Sequence, residues 1–213
     1  MHLFIGNIYL WGNIANYVIS YFHYSHEGLL KGDPNATLEM ALMIIPLSFS
    51  TQACFNPIGA FLLKKIHIKV ILLIGISIMI SSVYIASIMV EWSLFVLFYA
   101  CLFPIGIGLV YWAPIICAWE WFPERKGLIS GIIICGFGFG AFIFGFVSTH
   151  IVNPDPEHIK PGPAEDDSGT KDILFPKEVA LKVPEMLQTC LLYWSILAII
   201  AFMTISRNPE FLR

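Results

Sequence analysis

Charge is what this sequence has least of. Asp, Glu, Lys and Arg make up 13% of its 213 residues, against about 25% in an ordinary soluble domain. So few ionic groups cannot cover a water-facing globule of this size. A formal net charge of −3 offers no basic surface for nucleic acid. Cysteine is sparse too. Cys54, Cys101, Cys117, Cys135 and Cys190 all lie in apolar segments, without a C-x-x-C pair or a secreted-type disulfide spacing, and read as small packing hydrophobes. There is no H-E-x-x-H, no G-x-S-x-G elbow with partners and no phosphate loop. His23 and His26 are three apart but lack a third ligand. No catalytic residue, metal or cofactor is therefore expected. The amino end lacks a basic leader and a small-residue cleavage site, so the segment after Met1-His2 reads as an uncleaved helix, clipped at its amino end.

Long apolar runs are what the sequence does have. A hydrocarbon core about 30 Å thick needs roughly 20 helical residues. Runs of that length fall at about 3–23, 38–63, 68–90, 92–118, 127–149 and 188–206. They predict an all-α polytopic membrane protein with six transmembrane helices. Five of them occupy 1–149, a polar and flexible non-cytosolic loop covers 150–187, and 188–213 holds the sixth helix and a short tail. The loop is rich in Pro and acid (Pro154, Asp155, Pro156, Pro161, Pro163, Glu165, Asp166, Asp167) and is expected to be mostly irregular.

Basic residues set the expected threading. Lys64, Lys65 and Lys69 follow the second run, Arg125 and Lys126 the fourth, and Arg207 and Arg213 the sixth: seven of the twelve, in three short segments on one side. By the positive-inside rule that side, with both termini, is cytosolic. Lys31, in the first short outer loop, is the exception outside the long loop. Asn35-Ala36-Thr37 in that outer loop is a glycosylation sequon compatible with this threading.

Polar residues inside the runs are organised. Gly6, Tyr9, Asn13, Asn16 and Ser20 recur at three and four residues, as do Ser48, Gln52, Asn56 and Gly59 in the second run and Pro104, Gly108 and Tyr111 in the fourth. Such spacing puts each set on one helix face. An unpartnered amide in hydrocarbon costs several kcal/mol, so these faces must turn toward other helices or a wet cavity. The third and sixth runs are apolar all round and are expected at the lipid periphery. Pro46 and Pro57 should bend the second run. The fifth carries Gly127, Gly131, Gly136, Gly138, Gly140 and Gly145, which predicts close packing on a neighbouring helix. His2, His23, His26, His67, His150 and His158 fall at edges or in loops, and Glu39 and Glu91 at span ends, so no ionisable group is expected at mid-membrane depth.

The run Gly106-Ile-Gly-Leu-Val-Tyr111-Trp-Ala-Pro114, with Trp121-Phe-Pro-Glu-Arg-Lys-Gly127 continuing to Gly140, resembles the helix four to helix five region of oxalate/formate antiporter-like transporters of the major facilitator superfamily. Gly6-Asn-Ile-Tyr9-Leu-Trp11-Gly resembles the middle of their helix one. The resemblance implies the amino-terminal six-helix half of such a transporter, a 3+3 inverted repeat. Gly6-x-x-Tyr9 and Gly108-x-x-Tyr111 would then be repeat-related. It also implies that helices one, two, four and five line the path. The superfamily's cytosolic loop motif is only partly kept: Gly59, Lys64 and Lys69 remain, but Leu63, Ile66 and Ile68 stand at an acidic, a glycine and a basic position. The half that would carry anion-binding basic residues is missing.

The expected function is transport of small organic anions (monocarboxylate, oxalate or formate) by alternating access, as half of a transporter in a lipid bilayer. Its partner would be a second six-helix half, from the same or another chain, or a larger membrane complex. Tyr9, Asn13, Gln52, Asn56 and Tyr111 are the substrate-path candidates. Gly127, Gly131, Gly136, Gly138 and Gly140 would serve packing and gating. Gly59, Lys64, Lys69, Arg125 and Lys126 form the cytosolic loop set. The alternative is a degenerate, non-transporting membrane subunit.

Overall fold

The computed structural model describes residues 1–25, 36–163 and 173–209. His26, Lys31, the sequon residue Asn35, the acidic triplet 165–167, Lys171 and Arg213 lie outside the described residues. Helices dominate. Among the described residues five are long and apolar enough to cross a membrane: α2 (Leu38–Leu62), α3 (Ile68–Ser87), α4 (Trp92–Trp121), α5 (Pro123–Val152) and α6 (Lys177–Thr204). Residues 2–24, here α1, are helical throughout but stand outside that set. Asn7, Asn13 and Asn16 dilute α1's apolar character. The chain is thus an all-α, multi-pass integral membrane protein.

Local chemistry explains the helix irregularities. Within α1, Gly6–Leu10 tightens to a 3₁₀ turn, where the Asn7 amide donates to the Phe4 carbonyl at 2.6 Å. A side chain that bonds a carbonyl three residues back favours this tighter winding. In α2 the regular helix breaks at Met43, because Pro46 has no N–H to give and crowds the carbonyl four residues earlier. Pro57, by contrast, sits inside unbroken helix. In α4 a π-helical turn spans Leu97–Leu102, and a second discontinuity at Tyr111 precedes Pro114.

Two glycines place α4 between two neighbours. Positions two apart on a helix point about 200° from each other. Gly106 accordingly lies against α3, where a methyl group would meet the Gly75 carbonyl at 2.7 Å. Gly108 lies against α2, where one would meet Phe55 Cβ at 2.7 Å and the Gln52 carbonyl at 2.9 Å. Where no side chain intervenes, backbones approach closely and gain dispersion contacts that lipid tails would otherwise supply. On a third face, Trp92, Phe95, Tyr99 and Phe103 form a ladder with centroids 5.2–6.0 Å apart. Trp11 and Phe22 of α1 and Trp194 of α6 pack onto it. Each such pair contributes about 0.5–1.5 kcal/mol beyond area burial.

The burial order differs from the sequence expectation. Among the five long helices, α4 and α3 are the most buried, and α5 and α2 the least. The uniform apolarity of α3 thus serves its contact with α4 as well as lipid. The outer face of α5 (Leu128, Ile132, Phe139, Phe142, Phe146) is more than half exposed.

The described part of 150–187 is also more ordered than expected. Gly162–Pro163 and Ile173–Leu174 pair as a short antiparallel ribbon, and α6 begins well before residue 188, with a break at Leu181–Lys182. Phe175 explains why this stretch docks: its ring stacks on Tyr17 at 4.0 Å and its N–H donates to Ser20 Oγ at 2.9 Å. The paired residue is apolar and its amide is satisfied, so the segment has a reason to leave water.

Helix ends gather as the charge pattern expects. At one end, Lys69 Nζ donates to the Phe202 carbonyl and lies 4.9 Å above the Phe202 ring, covering the unsatisfied carbonyl end of α6. Trp121 Nε1 reaches the Ser206 carbonyl at 3.0 Å. Buried Glu120 accepts from Arg207 Nε at 2.9 Å and Nη2 at 2.5 Å, and from the Asn208 N–H at 3.2 Å. The Glu120 hydrogen bond is the main reason the Arg207 guanidinium is held above its ordinary pKa, and it outweighs the opposing effect of burial.

Candidate substrate path

The structure brings together two of the five path candidates and disperses the rest. Tyr9 and Tyr111 converge on Phe137 of α5, with ring centroids 5.3 and 6.0 Å away and both edge-on. Tyr9 also meets Phe49 of α2 at 5.1 Å. Tyr9 is there because Gly6, one turn earlier, presses its backbone onto the Phe137 carbonyl, and no other residue would fit. Tyr111 is there because the break before Pro114 sits at its position.

Gln52 lies one turn beyond Phe49 on α2 and is buried, and Asn56 follows four residues on. Their carbonyl oxygens, Gln52 Oε1 and Asn56 Oδ1, are buried without a hydrogen-bond partner. Such an atom normally finds water or a ligand. Asn13 stands apart. It is exposed, lies against Gly145, and lines a groove of about 390 Å³ with Phe142, Phe146, Thr149 and Pro156.

The glycines of α5 divide by face. Gly140 lies against the Leu3 carbonyl, and a methyl group at Gly136 would sit 3.6 Å from His2 Cβ, so α1 docks here. A side chain at Gly127, Gly131 or Gly138 would meet nothing within 4 Å, so close packing does not extend to these three. The cytosolic loop set also separates. Gly59 is an α2–α4 contact, where a methyl group would sit 2.5 Å from the Gly108 carbonyl oxygen. Lys69 caps α6. Lys64, Arg125 and Lys126 are exposed.

Two groups went unread in the sequence. Glu120 lies two residues beyond the expected end of its span, yet α4 continues to Trp121 and Glu120 is buried. His2, expected at an edge, is 4% exposed. Its ring lies 5.1 Å from Tyr111 and 6.2 Å from Phe137, level with the middle of α5, and neither ring nitrogen has a partner. The signal was available: residues 2, 6, 9 and 13 continue the polar stripe at spacings of four, three and four. Among the described residues no cluster of His, Cys, Asp and Glu is arranged to hold a metal ion.

What the arrangement offers chemically is a wall of hydroxyl, amide and aromatic groups with no fixed charge. The basic side chains of the described spans, Lys69, Arg125, Lys126, Lys177 and Lys182, all lie in end turns. No protein-family model matches the chain. It is similar to apicoplast pyruvate carrier 1 of Toxoplasma gondii, 26% identical over an alignment 182 positions long that covers 72% of this chain and 33% of that protein. The chain thus spans about a third of the length of the curated relative it matches. This finding corrects the family resemblance drawn from residues 6–12 and 106–140: the similarity is to a protein named as a pyruvate carrier, not to an oxalate/formate antiporter of the major facilitator superfamily. The physical reason is visible in the contacts. Gly6, Gly106, Gly108 and Gly140 are dictated by backbone approach, a demand shared by any tightly packed helix bundle.

Proposed function

We propose that this chain forms a six-helix body of a carrier that moves small organic monocarboxylates, pyruvate-like in size, across a membrane by alternating access. The observation that carries the reading is the convergence of Tyr9 and Tyr111, from two different helices, on Phe137, in a chain similar to a named carrier. Phenol hydroxyls can donate to a carboxylate, and the aromatic faces suit the small apolar remainder of such an anion. In this reading α1 is the sixth span. Its three asparagines are tolerated because one face of the helix borders the path and not lipid. The paired motifs Gly6-x-x-Tyr9 and Gly108-x-x-Tyr111 support two three-helix units related by an inverted repeat.

The uncovered faces of α2 and α5 are where a second helical body would sit. The end carrying Lys64, Lys69, Arg125 and Arg207 would face the cytosol, or its topological equivalent. The test is pyruvate binding and uptake by the purified chain in lipid vesicles. Saturable binding is expected, weakened about tenfold or more by Tyr9→Phe or Tyr111→Phe, in line with loss of a hydrogen bond to a charged group. Absence of any pyruvate binding rejects the reading.

The same uncovered faces also suit a non-transporting subunit of a larger complex. Co-purification of a stoichiometric partner that supplies no second helical half, together with no pyruvate binding, would favour that alternative.

A further inference from the structure

We propose that His2 is the carboxylate-binding residue of the path, pairing with the anion through a ring N–H and taking up one proton as the anion binds. This rests on the carrier reading above and names the group that would answer the substrate's charge. The imidazole is almost fully buried among Tyr111, Phe137 and Gly136, with Nδ1 and Nε2 both lacking a partner. A buried polar group left unpaired costs about 1–3 kcal/mol. Two such atoms on one ring mark a place where something else binds.

The missing partner is an acceptor that brings negative charge. A neutral imidazole offers one donor and one acceptor, whereas the protonated ring offers two donors. A bare carboxylate moved into an apolar wall loses hydration worth several kcal/mol, and no lysine or arginine of the described spans lies away from their end turns. Adding a proton to the ring lone pair makes the bound pair electrically neutral. One N–H bond forms on the ring as hydronium or a buffer acid gives up its proton; that proton stays on the ring nitrogen while the anion is held and returns to solvent when it leaves.

The other titratable groups around the site are few. On α1 they are the Met1 amino group and Tyr9, and on α4 Tyr111. On α5 the residues against the ring are Phe137 and Gly136, neither ionisable. On α6, which meets the first turn of α1 through Trp194 and Phe4, they are Cys190 and Tyr193. His2 is the one side chain of this set with an ordinary pKa near neutrality, at about 6.5.

The experiment is calorimetric titration of the full chain with pyruvate at pH 7.5, in two buffers of different ionisation enthalpy, for wild type, His2→Gln and His2→Asn. Both variants keep a donor and an acceptor on a side chain of related shape but do not titrate. Wild type should take up close to one proton per pyruvate bound, and its affinity should fall about tenfold per pH unit as rising pH depletes the protonated ring. The variants should bind with no proton uptake and a flat pH profile, at affinities about tenfold or more below wild type at pH 6. If wild type binds pyruvate and either folded variant keeps the proton uptake, the assignment to His2 is overturned while the carrier reading stands. If wild type binds no pyruvate, the carrier reading falls and this inference with it.

Discussion

The sharpest structural prediction concerns the junction between α4 and the segment after α6. Glu120 is 4% exposed and takes two hydrogen bonds from Arg207 and one from the Asn208 N–H, while Asn208 Nδ2 donates to the Glu120 carbonyl. Arg207→Met removes the cation but leaves the carboxylate in place. Breaking a buried pair from one side costs about 3–5 kcal/mol. The Arg207 side chain is about a third exposed, at 34%, so water partly rescues the orphan and the expected loss is nearer 2–3 kcal/mol. For a chain of this length that lowers the unfolding midpoint by roughly 4–12 °C. The double variant Glu120→Leu/Arg207→Met removes both charges and should recover most of the loss, because the penalty comes from the stranded carboxylate and not from the missing attraction. A thiol-reactive dye in detergent reads the transition through Cys117 and Cys190, which are buried in the folded chain. The reasoning is refuted if Arg207→Met unfolds within 1 °C of wild type, or if the double variant is less stable than the single one.

Other outcomes follow from the same contacts. Gly108→Val, whose first added carbon would sit 2.7 Å from Phe55 Cβ, should separate α2 from α4 and abolish a monodisperse elution profile. Gly131→Ala, with open space around it, should leave that profile unchanged. Lys69→Ala uncovers the carboxyl end of α6 and should cost about 0.3–1 kcal/mol, measured by the same thermal assay, with high salt narrowing the gap. The raised pKa of Arg207 puts its contribution fully in place below the ordinary guanidinium value, to be lost only as the pH climbs past the folded one. The midpoint difference between wild type and Arg207→Met should therefore be the same at pH 7 and pH 9. Phe175→Ala removes the stacked ring on Tyr17 and should speed protease cleavage between 153 and 176, as read by mass spectrometry of the fragments.

Much of the bundle could be read from periodicity. Apolar run lengths located five spanning helices to within a few residues at most ends, because burial in lipid leaves little choice but a continuous helix. The polar stripes likewise anticipated the inward placement of Ser48, Gln52 and Tyr111. What the pattern did not carry was partner identity. Six glycines in α5 look equivalent along the sequence, yet Gly140 meets a neighbour and Gly131 does not, because that depends on where α1 crosses. The even apolarity of α3 hid its role against α4 for a related reason: in lipid, a buried face and an outer face are made of the same residues. His2 and Glu120 were lost at boundaries, where a one-turn error turns a buried ionisable group into an apparent loop residue.

The pair Gly106 and Gly108 has a mechanical consequence. With α2 and α3 seated directly on its backbone from opposite sides, α4 cannot roll without lifting one of them away. These three rods should travel together as a slab whenever the protein changes shape. Any flexing is then left to the borders of that slab, where α1 rests on α5 through Gly6 and Gly140 and where the 3₁₀ stretch at 6–10 already interrupts the regular helix.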